Sequence, residues 1–455
     1  MKKLFGTDGI RGVAGLYPLD EPTVTRLGEA LARTLARRGH AAGGKRPRIL
    51  FGRDTRESGS WIEHSLATGS CRAGAQCVSA GVIPTPGVAY LARTGPFSAG
   101  VMISASHNPY RDNGIKIFSS EGYKLPDEEE MDIERLALDG ADVSASQELV
   151  GCSVGDAADL VGRYETFLLG AVDQGVSFSG MKLVLDCANG ASTRIAPAVF
   201  RALGAEVEVL FDAPDGHNIN EGCGSLHPET LAATVVERGA DLGIAFDGDA
   251  DRALFVSADG AMADGDVLIY QAACHLDERG LLAGRSVVAT VMSNLWLERS
   301  LAEHGIGLTR TQVGDKYVLE EMIRTGAVLG GEQSGHIIFA DRATTGDGVM
   351  TALRLLQVLH DTGETVSDWL GRVQALPQLL LNVPVASRPD LETHPVIGAE
   401  AENVRRELGG TGRLVLRYSG TEPVARVMIE AVDPRQVESL TRRLADVIAR
   451  EIGKR

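Results

Sequence analysis

The 455-residue chain is short of positive charge. Its 45 Lys and Arg stand against 61 Asp and Glu, a formal net charge of −16. Binding a phosphate backbone needs clustered cations, so nucleic acid and an anionic membrane surface are excluded as expected partners. Any anion the protein does bind must be met by a local island of Arg, Lys and backbone N–H groups. Paired cysteines are also missing. Cys71, Cys77, Cys152, Cys187, Cys223 and Cys274 stand singly with no CxxC. That argues against a zinc ribbon or thioredoxin-like site and fits reduced thiols. No apolar run approaches the ~20 residues of a membrane span. The opening MKKLFGTDGIRG has no apolar h-region, so no signal peptide is expected. No segment is of low complexity. The expectation is a soluble, cytoplasmic protein.

What is present is ordinary globular composition, 44% hydrophobic and 23% charged. The length exceeds what one hydrophobic core serves and suggests about three or four domains of roughly 100–150 residues. A helical pattern over 23–38 precedes a strand at 48–51. Further strands are predicted at 100–104, 182–185, 207–211, 243–246, 286–292 and 308–311. This βα alternation argues for α/β layers with parallel or mixed sheets. Small polar residues at 139–157, the Asp259-Gly260 pair and a Pro-containing break near 375–378 mark seams. The last stretch changes character, with strands at 379–385, 413–419 and 424–430 before an amphipathic helix over 436–451. The reading is three similar α/β domains with mixed sheets (1–155, 156–257, 258–374) and a C-terminal α+β domain (375–455).

Two motifs sit at strand ends, where open α/β sheets place ligands. The first is Ser104-Ala105-Ser106-His107-Asn108-Pro109, whose Asn-Pro turn would hold a serine in a tight, exposed bend. Such a serine is a nucleophile only if activated and charge-neutralised, and otherwise a turn residue. His107 and Lys116 nearby are acid/base candidates, or else solvated surface charges. The second is Asp247-Gly248-Asp249-Ala250-Asp251. Alternate residues of an extended segment share a face, and three carboxylates there repel unless a cation lies between them. Oxygen ligands suit Mg²⁺ or Ca²⁺. An EF-hand loop is excluded, because Arg252 and Ala258 stand where Gly and Glu are required. Mg²⁺ usually takes few carboxylates plus water and a phosphate oxygen, so the site is incomplete without a phosphate.

Polar islands accompany them. Gly330–His336 reads GGEQSGH, with Glu332, Ser334 and His336 suited to sugar hydroxyls, or to a plain polar turn. Residues 417–426 read RYSGTEPVAR, where Ser419, Gly420 and Thr421 can form an anion nest flanked by Arg417 and Arg426. Thr7 and Arg11 lie among glycines in the same style. A phosphate-binding P-loop at 39–46 is rejected, since Arg46 replaces Ser or Thr and the stretch precedes its strand.

These motifs, in this order and over essentially the whole chain, resemble the α-D-phosphohexomutase family. The resemblance implies four domains around a central cleft and an intramolecular phosphotransferase. It implies Ser106, not Ser104, as a phosphoserine. Asp247, Asp249 and Asp251 would bind Mg²⁺ with an oxygen of phospho-Ser106, while Glu332 and Ser334 would read the sugar. Arg417, Ser419, Gly420, Thr421 and Arg426 would hold the distal phosphate. Gln333, the Ser-Gly-Thr-Glu-Pro run at 419–423, Asn218-Ile219-Asn220 and the 314–318 and 344–348 segments fit the amino-sugar branch. Its reaction interconverts glucosamine 6-phosphate and glucosamine 1-phosphate through glucosamine 1,6-bisphosphate. Lys316 departs from the Arg expected there, keeping the charge without the bidentate fork. Lys116, His107 and His336 stay open as the acid/base. Alternatives are a phosphomannomutase/phosphoglucomutase, a phosphomonoester hydrolase with the same serine and metal, and a silent phosphosugar sensor. The partner expected is a small phosphosugar. A homodimer is compatible with the sequence, which does not give the oligomeric state.

Overall fold

The computed structural model describes residues 4–6, 8–39, 46–139, 157–419 and 423–454. Thr7, Gly420, Thr421, the rejected 39–46 stretch beyond its two ends, and the expected boundary at 155/156 lie outside them. The described chain divides into two compact units. One comprises residues 1–290 and 308–372, the other 291–307 and 373–455.

Three sheets share one plan. The first contains β1 (Ile10–Val13), β2 (Arg48–Arg53), β3 (Gln76–Val82), β4 (Ala99–Ile103) and β5 (Asp112–Ser119), ordered β1-β5-β4-β2-β3. Strands β3, β2 and β4 are parallel, while β5 and β1 add antiparallel. The second contains β6 (Lys182–Asp186), β7 (Glu206–Leu210), β8 (Leu242–Phe246), β9 (Ala253–Ser257) and β10 (Met262–Ala263), ordered β10-β9-β8-β6-β7. Again the first three strands in sequence are parallel and the hairpin partner is antiparallel. The third contains β11 (Ser286–Thr290), β12 (Gly307–Thr311), β13 (Leu329–Gly331) and β14 (Ile337–Phe339), ordered β12-β11-β13-β14. The mixed α/β sheets expected from the alternation are therefore present three times. The expected boundary 257/258 falls at the turn of the β9–β10 hairpin, and 374/375 lies just before the fourth sheet.

That fourth sheet is β15 (Gln378–Pro384), β16 (Gly412–Tyr418) and β17 (Val424–Ala431), antiparallel and ordered β15-β17-β16. The helix Pro434–Ile452 covers it, capped by the Asp433 carboxylate with Pro434 at the first turn. Val437, Leu440, Leu444 and Ile448 recur at helical spacing and are buried, each contributing about 1.5–3 kcal/mol of transfer free energy. A second helix, Pro395–Leu408, was not expected from the sequence.

The predicted strands all appear within about two residues, as boundary uncertainty allows. The hairpin partners β5, β9 and β14 were missed, and each follows a polar loop that carries a candidate site residue. Among the thiols, Cys77, Cys187, Cys223 and Cys274 are free as expected. Cys71 departs from that expectation, being disulfide-bonded.

Candidate active site

Strand β4 ends at Ile103, and Ser106 follows with a left-handed φ of 54°. A non-glycine residue stays there only if its surroundings hold it. The hold comes from below. Ser104 Oγ donates to Asp54 Oδ2 at 2.6 Å and accepts the Ser106 N–H at 2.8 Å. The Arg56 guanidinium, wholly buried, pairs with Asp54 Oδ2 at 2.9 Å. It also donates to the carbonyls of Ser106 (2.8 Å), Asn108 (2.8 Å), Asp112 (3.0 Å) and Pro109. Asn220 Nδ2 adds a second donor to the Ser106 carbonyl at 2.9 Å. The bend expected at Asn108-Pro109 exists and Pro109 is exposed, but the serine itself is not: Ser106 retains 1% of its surface. With its carbonyl satisfied by these buried donors, the serine can be buried without the usual penalty.

The aspartates converge on Ser106. Strand β8 ends at Phe246, and Asp247, Asp249 and Asp251 are all buried, with one oxygen of each within 4.8 Å of the others. They do not lie along an extended segment, as the sequence reading assumed. The Ala250 N–H donates to the Asp247 carbonyl and Ala250 has φ 55°, so a turn brings the side chains together. Gly248 is required by close approach, since a Cβ there would sit 2.6 Å from the Ser106 carbonyl oxygen. Ser106 Oγ donates to Asp247 Oδ2 at 2.6 Å. Burial, then repulsion from Asp251 and Asp249, pushes the Asp247 carboxyl well above the usual range. Burial would raise Asp251 too, but Lys116 and His336 outweigh it and hold its carboxyl well below.

Buried Asp249 Oδ1 and Asp251 Oδ1 have no hydrogen-bond partner. Buried carboxylates that come together in a turn and keep oxygens free of hydrogen bonds are the donor set a hard divalent cation takes. The residues therefore fit a metal ion.

Lys116, on β5, places Nζ 3.0 Å from Asp249, 3.3 Å from Asp8 and 3.5 Å from Asp251. Burial works against its charge, but the three carboxylates win and hold its pKa well above the ordinary value. His107 Nδ1 lies 3.3 Å from Ser106 Oγ. Burial, helped by Arg252 and Arg11, pushes its pKa down to about 4, so its ring is neutral near pH 7. Buried His336 has Nδ1 3.6 Å from Asp251 Oδ2. Although burial opposes protonation, Asp251, Asp315 and Glu332 push its pKa up. The Gly346 N–H on Nε2 (3.1 Å) requires a lone pair there, so the neutral ring carries its proton on Nδ1. Arg11 pairs with Asp8 at 2.5 Å and leaves its buried Nε without a partner.

The GGEQSGH stretch turns between β13 and β14. Gly335 has φ 90°, and a Cβ there would meet the Ala253 carbonyl oxygen at 2.4 Å. Glu332 Oε1 accepts the Gly314 N–H at 3.1 Å, and Gln333 Nε2 donates to Asp264 at 3.0 Å. Ser334 Oγ is buried without a partner. Lys316 is engaged by Asp127 and by Glu320 at 3.9 Å. In the other unit, Arg417 on β16 stands directly opposite Arg426 on β17, and the Ser419 N–H donates to the Val424 carbonyl at 2.9 Å. Like charges directly opposed across strands repel.

Sequence reasoning missed Asp54, Arg56, Thr85 and the role of Arg252. Arg252 Nε, buried without a hydrogen-bond partner, lies 3.9 Å from Asp247 and 3.8 Å from Asp251. The signal for the first two was present: Arg53-Asp54-Thr55-Arg56 is a polar cluster at the end of β2, the same strand-end logic used for Ser106.

Known proteins give this arrangement a family. The chain matches the phosphoglucomutase/phosphomannomutase alpha/beta/alpha domains I, II and III over residues 2–143, 165–260 and 264–376, and the C-terminal domain over 380–447. It belongs to the phosphoglucomutase/phosphomannomutase family, the α-D-phosphohexomutases, which are isomerase-class phosphotransferases. Within that family it is similar to phosphoglucosamine mutases. It is 50% identical to that of Solibacter usitatus over 453 residues, covering 100% of both chains. It is 48% identical to that of Syntrophotalea carbinolica, covering 100% of this chain and 99% of the other. Solved structures agree on the fold. A phosphoglucomutase/phosphomannomutase family protein from Burkholderia thailandensis superimposes with a TM-score of 0.79 at 24% identity, covering 99% of each chain. N-acetylphosphoglucosamine mutase from Aspergillus fumigatus, solved with GlcNAc-6P and magnesium, gives 0.69 at 20% identity, covering 98% of this chain and 96% of the other. The four-domain α/β reading and the phosphohexomutase resemblance are both upheld.

Proposed function

We propose that the chain interconverts glucosamine 6-phosphate and glucosamine 1-phosphate by carrying a phosphoryl group on Ser106. The observation that supports this most is the Ser106 hydroxyl 2.6 Å from Asp247 inside the aspartate turn. In the first half-reaction the bond between phosphorus and Ser106 Oγ breaks and a bond to the free 1- or 6-oxygen of the sugar forms. The sugar hydroxyl gives up its proton and Oγ regains one, so charge and atoms balance. The product is glucosamine 1,6-bisphosphate. After reorientation, the other phosphoryl group returns to Oγ and the proton movements reverse.

We assign these proton movements to Lys116, which is held charged, and to neutral His107 beside Oγ. His336, committed to Gly346 and facing Asp251, orients that carboxylate. Arg252 lies where it can offset charge on the transferring group. Asp247, Asp249, Asp251 and an oxygen of phosphorylated Ser106 would hold Mg²⁺, which would offset negative charge on the phosphoryl group. Glu332 and the unpartnered Ser334 hydroxyl would read the sugar, with Thr7, Arg11 and Lys316 as further contacts. Arg417 and Arg426, with Ser419, Gly420 and Thr421, would take the distal phosphate. The product would feed UDP-N-acetylglucosamine and cell-wall precursor synthesis in the cytoplasm.

A coupled assay comparing glucosamine 1-phosphate, glucose 1-phosphate and mannose 1-phosphate tests the substrate. The highest kcat/KM is expected on the amino sugar, and a higher value on a neutral hexose would make the chain a phosphomannomutase/phosphoglucomutase. Release of inorganic phosphate in place of isomer would make it a hydrolase.

A further inference from the structure

Asp249 is gripped on one oxygen only. Its Oδ2 accepts the Thr85 hydroxyl at 2.5 Å and Lys116 Nζ at 3.0 Å. Its main-chain carbonyl accepts the Thr85 N–H at 3.0 Å. Its Oδ1, equally buried, accepts nothing. Thr85 therefore holds both the backbone and the side chain of Asp249, which lies 164 positions away in the chain. It can do so because its own position is determined. It opens the helix Thr85–Thr94 between Pro84 and Pro86 and is buried at that helix start. Proline at the first turn sets the backbone there.

A carboxylate with two donors on one oxygen presents the other oxygen alone. Mg²⁺ demands near-ideal octahedral geometry, so a ligand free to rotate or to chelate through both oxygens suits it poorly. Groups that orient metal ligands from behind typically govern affinity by 10–100-fold. We propose that Thr85 is a positioning residue for the metal site, fixing Asp249 as a one-oxygen ligand through Oδ1 and reserving Oδ2 for Lys116. This rests on the reading of Asp247, Asp249 and Asp251 as the Mg²⁺ site.

The test is calorimetric titration of the full-length protein, phosphorylated on Ser106, with Mg²⁺, and with Mn²⁺ followed by electron paramagnetic resonance, on wild type, Thr85→Val, Thr85→Ser and Asp249→Asn. Thr85→Val keeps the shape and loses the donor. It is expected to bind one ion about 10–100-fold more weakly, while Thr85→Ser binds near the wild-type level. In turnover, Thr85→Val should need more Mg²⁺ for half-maximal rate yet approach the wild-type kcat at saturation. A structural defect alone would not be rescued by the ion. If Thr85→Val folds poorly, Thr85→Ala carries the same expectation. Wild-type affinity in a folded variant lacking the hydroxyl overturns the role of Thr85 and leaves the metal site standing. Absence of ion binding by the wild type, or undiminished binding by Asp249→Asn, overturns the metal site itself and the role of Thr85 with it.

Discussion

The Arg56 guanidinium lies directly beneath Ser106 and donates to its carbonyl oxygen at 2.8 Å. With the Asp54 partner at 2.9 Å, neither side chain reaches solvent. The serine that we read as the phosphoryl carrier is thus held by a buried ion pair that never touches the reacting group.

Removing Arg56 should damage both fold and chemistry. Arg56→Met leaves Asp54 as a buried unpaired charge and should cost about 3–5 kcal/mol in urea unfolding. Arg56→Lys keeps the charge and loses the fork. It should fold, with kcat lowered and KM for the sugar phosphate nearly unchanged, because the loop and not the sugar contacts is disturbed. A rise in KM with unaltered kcat would contradict this.

His107 should stay neutral far below the ordinary histidine range. Burial is the main cause, and its pKa is pushed down to about 4. The unfolded chain takes up the proton near pH 6.5 and the folded chain only near 4. This residue's contribution to stability is therefore present above pH 6.5 and declines as pH falls through that window. Titration of labelled histidine by NMR should show one ring unchanged from pH 8 to pH 5, absent in His107→Asn. A transition for His107 near 6.5 would contradict the burial argument.

The opposed arginines of the C-terminal sheet predict an anion effect. Phosphate or sulfate should raise the melting temperature of the wild type and raise it less in Arg417→Gln or Arg426→Gln. The same variants should raise KM for glucosamine 6-phosphate at least about tenfold, the loss expected of a charge-assisted contact worth ~1.5–3 kcal/mol. Equal anion stabilisation in all three proteins would place the phosphate elsewhere.

Much of this was legible in the sequence. Apolar runs ending in polar residues located β4 and β8, and with them Ser106 and the aspartates, because open α/β sheets carry ligands at strand ends. The hairpin partners were less visible. Strand β5 carries Asp112, Asn113, Gly114 and Lys116 among its apolar residues, and β14 is three residues long. Neither gives a clear period-2 signal. The turn at Ala250 was read as extended chain because a left-handed alanine has no sequence signature. Thr85 escaped for a different reason: its partner is a carboxylate 164 positions away in sequence. Periodicity cannot report such contacts.

The most direct test is mass spectrometry of the intact protein and its peptides after incubation with glucosamine 1,6-bisphosphate, paired with the isomerase assay. One phosphoryl group on Ser106 is predicted, removed when excess glucosamine 6-phosphate is added, with Ser106→Ala unlabelled and inactive and Ser104→Ala still labelled. Isomerisation by Ser106→Ala at the wild-type rate, or a label borne by another residue, would contradict the account.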